Sequence, residues 1–281
     1  MSRVAVVKGS NPPEMTVEAL ESAGAHETLA DGKQVLIKPN FLNAKHPSTG
    51  ITTDSRVIEG VVRFLKFHHV KEIVIGEGSG FADTLEAFRV AGVDEVARRW
   101  DVRLVDLNRD IYVEVDPPNP LTLKKVKVAK TALESTIISV AKLKPHRFAG
   151  VTLSIKNMMG AVTPKGSMHA HLSKNIADLA SLITPRVAVI DGVIAGEGHE
   201  SSGTPVEMNL VIAGTDPVAV DAVGAAVMGV PIDECRHLLL AEQKGLGTCD
   251  LRRIEVVGEP VEKVRRNFKR SVGSRLLVHL S

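Results

Sequence analysis

Gln34-Val35-Leu36-Ile37-Lys38-Pro39-Asn40 opens the stretch that decides the fold, and it is followed by Ser55–Phe67 and then by Glu72-Ile73-Val74-Ile75. The outer pieces are short, apolar and β-branched. The middle piece places Val57, Val61, Phe64 and Leu65 at helical spacing on one face. Strand, helix, strand in this order is the unit of a parallel sheet. The near-continuous apolar runs suit strands covered on both faces.

The rhythm extends outward in both directions. Strands are expected at Arg3–Val7, Arg103–Val105, Lys125–Val128, Thr136–Val140, Val187–Ile190, Leu210–Ala213 and Ile254–Val257. Helices are expected at Thr16–Ala23, Leu85–Arg99, Ser173–Leu182, Pro217–Met228 and Asp233–Lys244. The fold class is therefore α/β, with a mainly parallel sheet flanked by helices. A division into two lobes around a cleft, near residues 110–135, is left open. Asp110–Leu121, rich in proline, reads as a loop or an edge hairpin. Gly160–Leu172 reads as a long loop.

Composition narrows the function classes. The 281 residues are 44% hydrophobic and 24% charged, which is the balance of a globular chain. Net charge is +2, but residues 261–281 carry six Lys and Arg against Glu262 alone, leaving the remaining body slightly acidic. An acidic body with only 3% aromatics argues against nucleic-acid binding. Cys235 and Cys249 are too few for a disulfide framework, a four-cysteine zinc site or an iron–sulfur cluster. No stretch reaches 18 apolar residues without charge, so no membrane span is expected, and the plain reading is cytoplasmic.

Chemistry-bearing residues gather at strand exits. Ligands of parallel α/β sheets bind at the carboxyl ends of strands. Lys142-Leu143-Lys144-Pro145-His146-Arg147 leaves one such strand and leads to Ser154-Ile155-Lys156-Asn157. His146 is the expected proton-transfer group, because imidazole titrates near working pH. A helix opening after Gly150-Val151-Thr152 would offer free N–H groups to an anion, with Lys156 adding charge. Ile75-Gly76-Glu77-Gly78 and Lys38-Pro39-Asn40 leave two further strands. Gly76 and Gly78 allow close backbone approach to a ligand. Lys38, Lys144 and Lys156 are expected to hold the anion, with Asn40 and Asn157 beside them and Glu77 as a second acid/base. His169 and His171, two apart, would point to one face of an extended chain and could share a divalent metal. Asp191 to Pro205, with four glycines, reads as a loop able to wrap a ligand or chelate a cation. Asp54 and Asp216 read as helix caps.

Several of these segments together resemble the domain of unknown function 362 (DUF362) family. They are Val35-Leu36-Ile37-Lys38-Pro39-Asn40, Gly76-Glu77-Gly78, Lys142-Leu143-Lys144-Pro145-His146 through Lys156-Asn157, Asp191-Gly192-Val193 with Gly196-Glu197-Gly198, and Asp216-Pro217-Val218-Ala219-Val220-Asp221. The resemblance spans roughly residues 1–260 and implies no established activity. Many members continue into a ferredoxin-like module with iron–sulfur cysteines, where this chain has its basic tail. That implies an alternative function, a non-catalytic partner or assembly protein for redox machinery, with residues 261–281 as the docking arm. The spacing of His146, Lys156 and His171 is also similar to the nickel-pincer lactate racemase family. That resemblance implies His146 as acid/base, Lys156 as the tether of a pincer nucleotide, and His171 or His169 as nickel ligand. This sequence departs from that pattern at Glu77-Gly78, where a catalytic histidine stands, and at Ser154-Ile155, where a glycine pair stands.

Overall fold

A computed structural model describes residues 1–29 and 32–271. Its thirteen strands are β1 (Ser2–Lys8), β2 (Val35–Lys38), β3 (Ile73–Glu77), β4 (Arg103–Asp106), β5 (Tyr112–Val115), β6 (Val126–Ala129), β7 (Thr136–Lys142), β8 (Pro145–His146), β9 (Gly150–Val151), β10 (Val162–Thr163), β11 (Val187–Glu197), β12 (Thr204–Gly214) and β13 (Ile254–Gly258). The main helices are α1 (Pro12–Ser22), α2 (Ser55–Phe67), α3 (Thr84–Ala91), α4 (Val93–Trp100), α5 (Lys130–Glu134), α6 (Ser154–Asn157), α7 (Leu172–Ala180), α8 (Pro217–Val227), α9 (Arg236–Gln243) and α10 (Val261–Val264).

Eight strands form one sheet in the order β13-β1-β12-β11-β7-β2-β3-β4. Every neighbouring pair is parallel except those made by β12, which runs against both β1 and β11. Alternate residues feed two cores. Val35 and Ile37 face one and Leu36 the other; Val187 and Val189 face one and Ala188 and Ile190 the other. Helices α1 to α4 cover the first face, and α6 to α9 the second. Burial on both sides is the physical reason the strands read as unbroken apolar runs.

Three readings need correction. Residues 85–99 do not form one helix, because Gly92 sits at φ 75° and serves at once as the end of α3 and the start of α4. The left-handed backbone there is open to glycine at little cost. Residues 191–205 are mostly not loop: β11 and β12 continue as a long hairpin with a register shift between Gly192 and Ile194. The loop expected over 160–172 is broken up by β10, which pairs with β6, and by a 3-10 turn over Lys165–His169. Residues 110–135 supply β5 and β6 of a three-stranded sheet, with β5 at its edge, and Val126 and Val128 join the same core cluster as Leu36 and Ile190 of the main sheet.

The basic tail is not a free arm over its described part. Arg266 and Phe268 donate backbone N–H bonds to the Val227 and Met228 carbonyls, and Val264 and Phe268 are buried. Lys269 lies 3.8 Å from Glu197, and Arg270 pairs with Glu234. The rest of that segment, 272–281, lies outside the described residues.

Candidate functional site

Chain order reverses in the sheet between β2 and β7. From β2 the chain steps outward to β3 and β4, then returns to β7 on the other side of β2. Such a switch point leaves a crevice at the carboxyl edge. Lys38 ends β2, Glu77 ends β3 and Lys142 ends β7, so all three stand at that edge.

Lys38, Asn40, Glu77 and Asn157 are drawn into one network. Lys38 Nζ donates to Glu77 Oε1 at 2.7 Å and to Asn157 Oδ1 at 3.1 Å, and Asn40 Nδ2 donates to the same Asn157 oxygen at 3.0 Å. Asn157 Nδ2 in turn donates to the Lys38 carbonyl and to Ser139 Oγ. Glu77 also accepts from the backbone N–H groups of Gly78 and Phe41. Burial pulls the Lys38 pKa down while the Glu77 charge beside it resists. Donors thus stand on both Glu77 oxygens. Gly76 and Gly78 are likewise occupied by protein. A Cβ at Gly76 would press on Leu36, and one at Gly78 would meet the Gly160 carbonyl.

Lys142 is ion-paired in the same way. It pairs with Asp191 at 2.8 Å, both side chains fully buried. Asp191 also accepts from the N–H of Asp54, and Asp54 caps α2 by accepting from Arg56 N–H. The expected capping role of Asp216 is seen at α8, where it accepts from Val218 and Ala219.

The helix expected after Gly150 is the four-residue α6, and its N–H groups are not free for a ligand. Ser154 N donates to Asp221 Oδ1 at 2.7 Å and Ile155 N to Oδ2 at 3.0 Å. The chain supplies its own anion there. Burial is the main cause that pushes the Asp221 carboxyl up to about 7. Ser154, Ile155 and Asn157 all turn inward, which leaves Lys156 as the one residue of α6 that keeps contact with solvent.

Lys156 makes no hydrogen bond or ion pair among the described residues. Burial lowers its pKa to about 8, with Glu200 opposing. Its charge is felt by three neighbours. Lys144, which donates to the Ile51 and Glu200 carbonyls, is pulled to about 7, first by burial and then by Lys156 and Lys142. His146 is held well below the usual imidazole range by burial, then by Lys156, Lys144, His237 and His169. His237, on α9, is pushed down to about 3 by burial and by Lys156.

The two imidazoles differ in what they can do. His146 Nδ1 accepts from the N–H groups of Phe148 and Ala149, each at 3.2 Å. An accepting Nδ1 leaves the proton of the neutral ring on Nε2. His146 therefore presents an N–H donor, 3.8 Å from Glu200 Oε1. His237 is fully buried, and neither ring nitrogen has a partner among the described residues. A neutral imidazole always carries a donor and an acceptor, so this site leaves two polar groups unsatisfied, a state that costs about 1–3 kcal/mol each. Sequence reading passed over His237, whose only local signal is a histidine preceding an apolar run in an amphipathic helix.

The tip of the β11–β12 hairpin roofs this region. Glu200 is buried, its Oε2 is unpartnered among the described residues, and Arg147 Nε stands 3.1 Å from its Oε1. Asn43 donates to the Ser201 carbonyl. Hollows of about 550, 460 and 410 Å³ open at the opposite, amino edge of the sheet, beside Ser2, Thr136 and Ile73. His169 and His171 are both exposed. His169 ends a 3-10 turn and His171 is the N-cap residue just before α7, so the extended backbone that would align them is absent. Among the described residues they join no group of three close metal-ligating side chains.

Residues 35–226 match the profile of the family described as "Domain of unknown function (DUF362)". The chain belongs to that family. It is also similar to a thylakoid-associated protein of Synechocystis sp., at 24% identity over 258 residues, covering 88% of this chain and 78% of the relative. No solved structure matches it significantly. The resemblance to the lactate racemases has no counterpart in these comparisons. Among the described residues no helix is long and apolar enough to cross a membrane.

Proposed function

We propose that this protein binds a small anionic ligand, a carboxylate or a phosphate, at the carboxyl edge of the sheet between β2 and β7. The reading rests on Lys156, an ammonium with no partner among the described residues, whose charge acts on the fully buried His237 imidazole, itself with two nitrogens unpartnered among those residues. Buried polar groups are nearly always satisfied, and an anion with its hydration water supplies both acceptor and donor atoms. In this proposal Lys156 provides the charge and His146 Nε2–H a directed hydrogen bond. His146 works as a neutral electrophilic donor, because its Nδ1 is already occupied by backbone N–H groups. The Lys38–Glu77–Asn157 network holds α6, and with it Lys156, against β2 and β7. Lys144 ties the hairpin roof over the ligand through the Glu200 carbonyl.

Calorimetric titration with inorganic phosphate and with lactate tests this. One of the two should bind the wild-type chain. Lys156→Met should weaken that binding at least tenfold, roughly the loss expected when one partner of a charged contact is removed. Affinity should fall as pH rises through about 8, where the Lys156 ammonium is lost. Equal affinity in Lys156→Met would overturn the assignment.

A further inference from the structure

A second cluster lies away from the proposed anion site. Glu21 belongs to the last turn of α1, His26 to the 3-10 turn that follows, and His68 to the residue just past α2. His68 Nε2 is 2.7 Å from Glu21 Oε1, and His26 Nδ1 is 3.9 Å from Glu21 Oε2. The two imidazole rings stack face to face, 5.1 Å between centroids and 8° from parallel. One ligand atom from each of the three residues lies within 4.8 Å of the other two.

We propose that Glu21, His26 and His68 form a surface site for a divalent first-row transition metal. Two imidazole nitrogens and one carboxylate make the three-ligand set of an open zinc site, with water in the fourth position. Nitrogen donors favour zinc, nickel, cobalt or copper over magnesium and calcium. Bonds of about 2.0–2.2 Å at a tetrahedral centre put donor atoms roughly 3.3–3.5 Å apart. The observed spacings bracket that value, and the side chains are free to adjust, being 37% exposed at Glu21, 44% at His26 and 23% at His68. Two helix carboxyl ends converge here, and their partial negative charge favours a cation. Phe64 and Phe67 flank the His68 ring. None of the three residues takes part in the proposed anion site, so the two proposals stand or fall separately.

The test is calorimetry on the full chain, stripped with chelator and titrated with ZnCl₂, and with MgCl₂ for comparison. The wild type should take up zinc at this site and show no matching magnesium uptake. His26→Ala/His68→Ala should lose one zinc equivalent, and Glu21→Gln should weaken that equivalent at least about tenfold. His169→Ala/His171→Ala should keep it. Thermal melts with and without zinc give a second readout: zinc should raise the wild-type midpoint and leave the double variant's unchanged, with all chains melting alike in chelator. Wild-type zinc stoichiometry and affinity in the double variant would refute the site. So would a wild type that takes no zinc, or one that takes magnesium equally well.

Discussion

Replacing Asp191 by Asn tests how the carboxyl edge is held together. Asp191 is fully buried and accepts from Lys142 Nζ, from Asp54 N–H and from Val193 N–H. An amide keeps one acceptor oxygen and turns an NH₂ group toward the remaining donors. The Lys142 ammonium is then buried without its hydrogen-bonded carboxylate, with only the more distant Asp54 charge to offset it. Breaking a buried pair on one side costs about 3–5 kcal/mol. At roughly 2–4 °C per kcal/mol for a chain of this size class, the melting midpoint should drop by about 6–20 °C. Urea unfolding followed by circular dichroism gives the free energy directly. Lys142→Met combined with Asp191→Asn should recover much of the loss, because the orphan charge is gone, and the double-mutant cycle should show a coupling above about 1 kcal/mol. A cost below about 1 kcal/mol for the single variant, or a cycle without coupling, would refute the view that this ion pair anchors the edge.

Other outcomes follow from the same geometry. Gly160→Ala places a methyl against Glu77 Oε1 and Lys38 Nζ, so it should cost about 1–3 kcal/mol in urea, whereas Gly166→Ala, with open space at its Cβ, should cost almost nothing. His237 has a folded pKa of about 3, below the roughly 6.5 of an unfolded imidazole, so the unfolded chain takes a proton that the fold refuses. Stability should fall as pH drops from about 6.5 toward 3, and His237→Gln should flatten that slope in urea titrations across the window. Asp221 runs the other way: its folded pKa of about 7 exceeds the roughly 3.9 of an unfolded carboxyl, so its contribution is present at low pH and is lost as pH rises toward 7. Asp221→Asn should remove that opposing slope, and an unchanged pH profile in either variant would count against the burial argument.

Much of the sheet is legible in the residues themselves. Val35–Ile37, Ile73–Ile75 and Val187–Ile190 are apolar at consecutive positions because both faces are covered, and that pattern needs no partner to be read. Lys38 and Asn157 stand out for a similar reason, being polar residues set directly at the edge of apolar runs. Their pairing is another matter. Lys38 meets Glu77 39 positions away and Asn157 119 positions away, and no local period encodes such contacts. Asp221 is 67 positions from the Ser154 N–H that it satisfies, so α6 looked like an open anion seat until its own chain filled it. The glycines of 191–205 suggested a ligand loop because glycine signals either open backbone or close approach. Here it is close approach: a Cβ at Gly196 would run into the Gly50 carbonyl, and one at Gly50 into that of Ala195.

The hairpin tip is fastened from outside as well as from within. Gly198 N–H donates to the Lys269 carbonyl, Lys269 N–H donates to Glu197 Oε2, and Gly198 bridges to Arg270. The segment over 265–271 thus works as a clasp on the hairpin tip. Whatever displaces that clasp frees the tip, so this late segment is linked by direct hydrogen bonds to the turn that carries Glu200, formed some seventy positions earlier in the chain.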